Sequence, residues 1–225
     1  MKWQSYSISE FADVRGGKRL PAGHDFVSEP TNHLYIRARD IGAGKIEINE
    51  PVYITEDTFE KISRYTVDEG DLVLTIVGAN IGDAAYIPSI YAGANLTENA
   101  AKISVDRSKC VPKYLKYCLS NDNAKKAFSH IAIGAAQGKL GLYKINDFKI
   151  ALPKLAIQTR IAEILSTYDE LIENNRCQIK LLEESARLLY REWFERLRFP
   201  GHDQLKLVNE VPEGWKKTQL RNIAV

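Results

Sequence analysis

The stretch from Ile150 to Phe194 reads IALPKLAIQTRIAEILSTYDELIENNRCQIKLLEESARLLYREWF, and its apolar residues recur at alternating spacings of four and three. This heptad spacing aligns them along one stripe of a long α-helix and is typical of a coiled coil. The stripe, which we call the seam, consists of Ile161, Leu165, Tyr168, Ile172, Asn175, Ile179, Leu182, Ala186, Leu189 and Trp193. We therefore expect the seam to form a homodimer interface with a second helix.

The length of this helix favours a partner outside its own domain. About 40 helical residues extend about 60 Å at about 1.5 Å per residue, farther than a domain of this size could cover. The alternative is a long amphipathic helix that folds back on its own domain. Within the seam we expect the polar Asn175 to set the register and the number of partner helices, although a tolerated polar contact is the other interpretation. Phe-Pro-Gly at 199–201 should stop the helix.

The sequence before the seam has the pattern of a mixed α/β domain. Three short apolar runs bounded by turn residues predict strands, namely GDLVLTIVG (70–78), AAYIP (84–88) and AAKISVD (100–106). Pro112 stands where a helix begins, and a glycine-rich loop follows at 133–145. The predicted fold class is α+β, with a mixed α/β domain followed by a long coiled-coil-forming α-helix.

Composition and motifs exclude several functional classes. No apolar run approaches the ~20 residues of a membrane span, and the N-terminus lacks the apolar core of a secretory signal, so we expect a cytoplasmic protein with no membrane partner. Three cysteines without a C-x-x-C pair and four scattered histidines predict neither disulfides nor a metal site. IGAGKIE carries Ile46 where a P-loop needs Ser or Thr, and GANIG lacks the helix of a dinucleotide fingerprint. We expect no cofactor and no catalytic residue.

The net charge of +2 conceals a segregation of charge along the chain. Residues 15–45 hold six basic and three acidic residues, residues 46–101 hold two and ten, and residues 102–149 hold ten and three. If the two basic segments lie on one face, they form the cationic surface of a nucleic-acid-binding protein. The other interpretation is ordinary surface charge that mixes again in the folded chain.

Donor-rich side chains in glycine-flanked stretches are candidates for contacts with double-stranded DNA. VRGGKRLPAG (14–23) surrounds two glycines with basic residues, YIRARDIGAGK (35–45) places two arginines on alternate positions of a predicted strand, and GAAQGKLGLYK (134–144) is a basic loop. Arg and Lys suit guanine edges and phosphates, and Gln suits adenine. The predicted DNA-binding residues are Arg15, Lys18, Arg19, Arg37, Arg39, Asn80, Gln137, Lys139, Tyr143 and Lys144.

These residues are expected to divide between two kinds of contact. We expect Arg37 and Arg39 to read bases, and the pairs Lys18 and Arg19, and Lys139 and Lys144, to contact phosphates. The alternative is a solvated turn for each basic residue and core packing for Tyr143.

The start of the long helix resembles a motif of type I restriction–modification specificity subunits, lP-x-L-x-x-Q-x-x-I-a-x-i-L-s-x-x-D. The matching residues are Pro153, Leu155, Gln158, Ile161, Leu165 and Asp169. GDLVLTIVGANIGDAAYI and GAAQGKLGLYKINDFKIALP resemble the target-recognition domain that precedes this helix in the family. The resemblance implies a target-recognition domain over 1–152 and, over 153–199, a long helix that dimerises and docks modification subunits.

By this resemblance the chain is not an enzyme. It is expected to select the DNA sequence and to hold the modification subunits, which bind S-adenosylmethionine and methylate adenine, and through them the restriction subunits. Two other classes remain as alternatives: a coiled-coil scaffold without direct DNA contact, and a stand-alone DNA-modifying enzyme.

The C-terminal PEGWKKTQLRNIAV repeats a feature of the N-terminus. Trp215 is followed by Leu220, Ile223 and Ala224 at the offsets at which Trp3 is followed by Ile8, Phe11 and Ala12. Members of the family usually carry two recognition domains, each followed by a long helix, and the second domain begins with a P-x-G-W stretch. The resemblance therefore implies that residues 200–225 are a linker and the start of a second repeat, and that the chain corresponds to half a specificity subunit.

Overall fold

The computed structural model of the protein describes residues 3–42, 44–133, 138–208, 211–216 and 218–219. The chain divides into two compact units, Met1–Ser166 and Thr167–Val225. The first unit combines strands and helices around a buried core, and the second contains most of the long helix and a short hairpin. The α+β class predicted from the sequence is confirmed.

A four-stranded sheet forms the centre of the first unit. Its strands are β2 (Ala12–Gly16), β4 (Leu72–Thr75), β5 (Ala84–Tyr86) and β7 (Ala100–Val105). The order is β2-β7-β4-β5, and every neighbouring pair is antiparallel. In register, Arg15 lies opposite Lys102, whereas Gly16 and Leu74 both lie opposite Ala101. The three strands predicted from apolar runs are β4, β5 and β7, and these predictions are confirmed.

In the residues that the structure describes, the first unit also contains two shorter strand pairs and four α-helices, and a fifth α-helix begins in it. β1 (Ser5–Ser7) is antiparallel to β8 (Lys149–Ala151), and β3 (Tyr35–Ile36) is parallel to β6 (Asn95–Leu96). The helices are α1 (Glu56–Ile62), α2 (Pro112–Leu119), α3 (Asp122–Ile133), α4 (Leu142–Asn146) and α5 (Leu155–Tyr190), the last of which continues into the second unit. Pro112 occupies the first turn of α2, as predicted.

The strand predicted through YIRARD is shorter than expected, and the prediction that two arginines alternate along it is wrong. β3 ends at Ile36, and Ala38–Asp40 forms a 3₁₀ turn. The Asp40 carboxylate accepts a hydrogen bond from the backbone N–H of Arg37 at 2.8 Å. A side-chain acceptor of this kind competes with the strand ladder for the backbone donor, so the chain turns directly after β3.

Apolar clusters cover both faces of the central sheet, because alternate residues of a strand point to opposite faces. Leu72 and Leu74 belong to one cluster, which includes Leu115 of α2. Val73 belongs to the other cluster, which includes Ile36 of β3. Burial on both faces explains why β4 reads as a continuous apolar run rather than as an alternating one.

The first turns of α5 are fixed to the first unit by a buried glutamine. Gln158 is 1% exposed, and its Oε1 accepts a hydrogen bond from the backbone N–H of Val111 at 2.9 Å. Its Nε2 donates to the carbonyl oxygens of Lys109 at 3.1 Å and Pro153 at 2.9 Å. Ile161, the first predicted seam residue, packs against the core beside this anchor. This position of the seam therefore contacts the chain's own domain.

In the second unit the long helix is followed by a short strand pair and a group of aromatic side chains. α5 is followed by a π-helical turn at Arg191–Glu195, before the predicted Phe-Pro-Gly stop. Strands β9 (Leu207–Val208) and β10 (Val211–Pro212) form an antiparallel hairpin. Trp215 then stacks on Phe199 with ring centroids 5.3 Å apart. Trp215, the residue that repeats Trp3 in the sequence, thus packs at the end of the long helix.

Candidate nucleic-acid interface

Four loops meet at one end of the central sheet. Strands β2 and β4 end there and β7 begins there, because each is antiparallel to β7 and both terminate opposite Ala101 or its neighbour. We call the segments 17–20, 76–80, 97–99 and 138–143 the loop cluster. Backbone hydrogen bonds hold them together: Ile76 N–H donates to Asn99 O at 2.8 Å, Leu140 N–H to Ile76 O at 2.9 Å, and Lys18 N–H to the O of Leu96, which directly precedes 97–99, at 2.8 Å.

The basic loop after β2 depends on a close backbone approach at Gly17. A Cβ atom at this position would lie 2.1 Å from the carbonyl oxygen of Thr97, so only glycine fits. The following residues, Lys18 and Arg19, are exposed. Arg19 lies 3.3 Å from the carboxylate of Glu98, in an ion pair whose arginine is well exposed and therefore weakly held. The loop thus presents both cations to solvent.

A buried tyrosine holds the same loop from the inside. The hydroxyl of Tyr35 donates a hydrogen bond to the carbonyl oxygen of Lys18 at 2.6 Å. Burial raises the pKa of Tyr35 to about 12. The hydroxyl therefore keeps its proton, and remains a donor, throughout the neutral pH range.

The other predicted residues of the loop cluster are also exposed. Lys139 pairs with Val77 in an isolated bridge, next to the turn that carries Asn80. Tyr143 is 66% exposed, which excludes the alternative of core packing for this residue. Gln137 lies outside the described residues. The loop cluster therefore brings together the basic loop after β2, Asn80, Lys139 and Tyr143.

Arg37 and Arg39 lie in a different environment, rich in carboxylates. The Arg37 guanidinium donates to both oxygens of Asp40 at 2.9 Å and also contacts the carbonyl oxygen of Glu50. The side chains of Arg37 and Asp40 are only 16% and 3% exposed. Arg39 is exposed and pairs with the Glu50 carboxylate at 3.0 Å, near Glu47. Arg37 thus has a structural role, and Arg39 alone of the two offers an exposed guanidinium.

Lys144 also has a structural contact. Its ammonium donates to the carbonyl oxygen of Ile131 at 2.6 Å, in the last turn of α3. A lysine in this position satisfies a carbonyl group that has no partner within the helix. Lys144 and Lys139 therefore have different surroundings although both belong to one basic stretch of sequence.

The structure adds one basic residue that sequence reasoning missed. Arg64 belongs to the acidic segment 46–101, yet it lines the same pocket as Arg15 and Lys102. No local signal in the sequence distinguishes it. Only the fold, which places the 3₁₀ turn Ser63–Tyr65 after α1 beside β2 and β7, brings it to the basic surface.

Beyond these cations, the described residues contain no group of three or more His, Cys, Asp or Glu side chains that could hold a metal ion. Across the same residues no helix is long and apolar enough to span a membrane. Of the three cysteines, Cys110 is buried and Cys177 is exposed. Burial raises the pKa of the Cys110 thiol to about 12, which makes it a poor nucleophile.

The seam residues of the second unit are exposed along their whole length. Leu182 is 69% exposed, and the other large apolar members from Tyr168 to Trp193 are exposed as well. Four further apolar side chains of α5 that lie outside the seam are exposed as well, namely Ile164, Leu171, Leu181 and Leu188. Exposed apolar side chains that recur along a helix mark an interaction site.

Comparison with known proteins gives consistent matches. The family model described as "Type I restriction modification DNA specificity domain" matches residues 1–184. A relative from Methanocaldococcus jannaschii, named "Putative type I restriction enzyme MjaX specificity subunit", is 27% identical over 230 residues, covering 98% of this chain and 52% of the relative. The MjaVIII specificity subunit of the same organism is 26% identical over 189 residues, covering 82% and 44%. The chain thus spans about half the length of the curated relatives it matches.

The fold is also found among solved structures. The type I restriction–modification S subunit from M. genitalium superposes with a TM-score of 0.57 at 14% identity, covering 85% of this chain and 45% of that one. The HsdS subunit from Thermoanaerobacter tengcongensis has a TM-score of 0.54 at 17% identity, covering 78% and 40%. At these identities the similarity is one of fold.

Proposed function

This chain belongs to the type I restriction–modification DNA specificity family, and on that premise we propose that it is a non-catalytic subunit that binds one half-site of a bipartite target in double-stranded DNA. The loop cluster carries the proposal, because Lys18, Arg19, Asn80 and Lys139 lie exposed at one end of the sheet. Exposed cations suit phosphates, and amides on loops suit base edges.

We propose further that two copies associate through the seam. The apolar row from Tyr168 to Trp193 is exposed over several turns, and burying it against an identical row would remove apolar surface from water. Asn175 then lies within the helix interface and sets register and partner number. Changing Asn175 to leucine should strengthen the association of the helices or allow more than one number of partner helices.

The modification subunits, and through them the restriction subunits, are the remaining proposed partners. A two-helix seam uses one row of apolar side chains, whereas α5 also exposes Ile164, Leu171, Leu181 and Leu188 outside the seam. These additional apolar side chains support docking of a second protein on the same helix.

A homodimer constrains the DNA target. Two identical copies present identical loops, and protein two-fold symmetry is mirrored in the DNA sequence. The target is therefore an interrupted palindrome, with half-site centres about one helical turn, roughly 10 base pairs, apart. The helix pair determines the length of the unread spacer.

Methylation mapping tests the function directly. The chain is co-expressed with its modification subunit, and methylated adenines are located across a genome. We expect methylation at an interrupted palindrome. Deleting residues 178–184, one heptad, keeps the seam in phase, so it should change the spacer and leave the half-sites unchanged.

Other outcomes separate the alternatives. A non-palindromic site, or a spacer indifferent to the deletion, contradicts the symmetric dimer. Absence of salt-sensitive DNA binding favours a coiled-coil scaffold. Cleavage or methylation of DNA by the isolated chain, supplied with magnesium or S-adenosylmethionine, favours a stand-alone enzyme.

A further inference from the structure

A pocket of about 130 Å³ lies beside strand β2, next to the loop cluster. It is lined by Arg15, Arg64, Tyr65, Lys102 and Gly17, among others. Gly17 is also the first residue of the loop cluster, so the two surfaces are continuous. We call this site the Arg64 pocket.

The cations around this pocket are neutralised to different degrees. Lys102 is largely buried, donates to Thr66 O at 2.9 Å and lies 3.4 Å from the Asp71 carboxylate. Arg15 pairs with Asp13, but their side chains are 72% and 56% exposed, so water screens the pair. Arg15 therefore remains available to a ligand, whereas Lys102 does not.

Two further cations, one lining the pocket and one beside it, have no carboxylate partner in the part of the chain that the structure describes. Among the residues that the structure describes, Arg64 has no acidic side chain within ion-pair distance. The ammonium of Lys18 lies 5.9 Å from the centroid of the Tyr65 ring, a cation–π distance that keeps it beside the pocket. Positive charge at the pocket thus exceeds the negative charge that surrounds it.

The size of the pocket limits what it can hold. About 130 Å³ is well below the roughly 300–1,000 Å³ of sites for small molecules and cofactors. A single anionic group of tetrahedral shape fits this volume, and guanidinium groups bind phosphate oxygens in pairs of parallel hydrogen bonds.

We propose that the Arg64 pocket binds a backbone phosphate of double-stranded DNA. Arg64 makes the principal contact with the phosphate, and Arg15 and Lys18 lie beside it. The proposal rests on the proposed DNA-binding function and adds to it a contact outside the two basic segments of the sequence. Such phosphate contacts fix the register of a protein on the duplex without reading its sequence. The Arg64 pocket therefore orients the loop cluster toward the groove.

The test uses the full chain and a fluorescein-labelled duplex of arbitrary sequence, since a phosphate contact needs no target site. Anisotropy titrations at several salt concentrations give the slope of log affinity against log salt. Arg64→Ala should reduce the magnitude of this negative slope by about 0.9, the value for one phosphate contact. Lys61→Ala is the matched control, because this neighbouring lysine is already paired with Asp57 at 2.9 Å; its slope should equal that of the wild type.

A second variant, Arg64→Gln, keeps most of the side-chain length without the charge and covers the case in which Arg64→Ala fails to fold. Arg64→Gln should reduce the magnitude of the salt slope as much as Arg64→Ala does, whereas Arg64→Lys should retain the wild-type slope. Salt-sensitive binding by the wild type with an unchanged slope in Arg64→Gln overturns the phosphate site and leaves the proposed function intact. Failure of the wild type to bind the duplex overturns both.

Discussion

Arg15 and Lys102 lie directly opposite each other on β2 and β7, so the two basic segments of the chain meet in the central sheet. Their environments differ, because Arg15 is well exposed whereas Lys102 is held by Asp71 and the Thr66 carbonyl oxygen. A count of basic residues therefore overstates the charge available to DNA. We expect DNA binding to depend on the exposed cations of the loop cluster and of the Arg64 pocket.

The basic loop after β2 should provide phosphate contacts. Replacing Lys18 and Arg19 together with alanine should lower the log–log salt slope of duplex binding by roughly two, at about 0.9 per contact. The double variant Arg107→Ala/Lys109→Ala serves as the control, because both exposed residues follow the end of β7 that lies away from the loop cluster, and no change of slope is expected. An unchanged slope in the Lys18/Arg19 variant would show that these two residues do not contact DNA phosphates.

The two lysines of the glycine-rich stretch should behave differently. Lys139→Ala should lower the salt slope by about 0.9, because this side chain is exposed in the loop cluster. Lys144→Ala removes the hydrogen bond to Ile131 and should lower the free energy of unfolding by about 1 kcal/mol, with the slope unchanged. Urea denaturation and anisotropy on both variants check this. Equal effects of the two substitutions on the salt slope and on the free energy of unfolding would contradict the different roles assigned to Lys139 and Lys144.

Arg37 should matter for stability and not for base reading. Arg37→Ala leaves the buried Asp40 carboxylate unpaired, which should lower the free energy of unfolding by about 3–5 kcal/mol in urea denaturation. Arg39→Ala breaks only an exposed pair with Glu50 and should cost less than about 1 kcal/mol. A stable Arg37→Ala protein with an altered methylation site would restore Arg37 as a base-reading residue.

The seam should control the oligomeric state. We expect the chain to be a dimer at micromolar concentration, and Leu182→Glu to convert it to a monomer because the interface would bury an unpaired charge. Arg187→Glu changes charge on the same helix but outside the seam, and should remain dimeric. Light scattering after size exclusion measures all three proteins. A monomeric wild type would refute the dimer.

The cysteines should differ in reactivity toward a thiol reagent at pH 8. Cys177 is exposed and should react at once in the folded chain, whereas Cys110, with its thiol pKa raised by burial to about 12, should react only after unfolding. Because the pKa of the Cys110 thiol is higher in the folded state, its contribution to stability is complete below the ordinary thiol pKa of 9.0 and is lost as the pH rises toward 12. Rapid labelling of Cys110 in the native protein would show that its site opens.

The sequence by itself determined the long helix, strands β4, β5 and β7, and the family to which the chain belongs. These features follow from local periodicity and from motifs that are contiguous in the chain. Heptad spacing identifies the seam wherever the helix packs, and an apolar run such as Leu72–Thr75 reads as a strand because both of its faces are buried.

Only the tertiary structure decided which basic residues are available to a ligand. Arg37 and Lys144 look like DNA-binding residues in sequence, but partners brought near by folding, the Glu50 and Ile131 carbonyl oxygens among them, engage their charges. Arg64 lies in an acidic segment and becomes part of a basic pocket because the 3₁₀ turn after α1 lies beside β2. The physical reason is that a side chain carries its charge in any conformation, whereas the folded backbone decides which partner engages that charge, as the 3₁₀ turn does for Arg37 and Asp40.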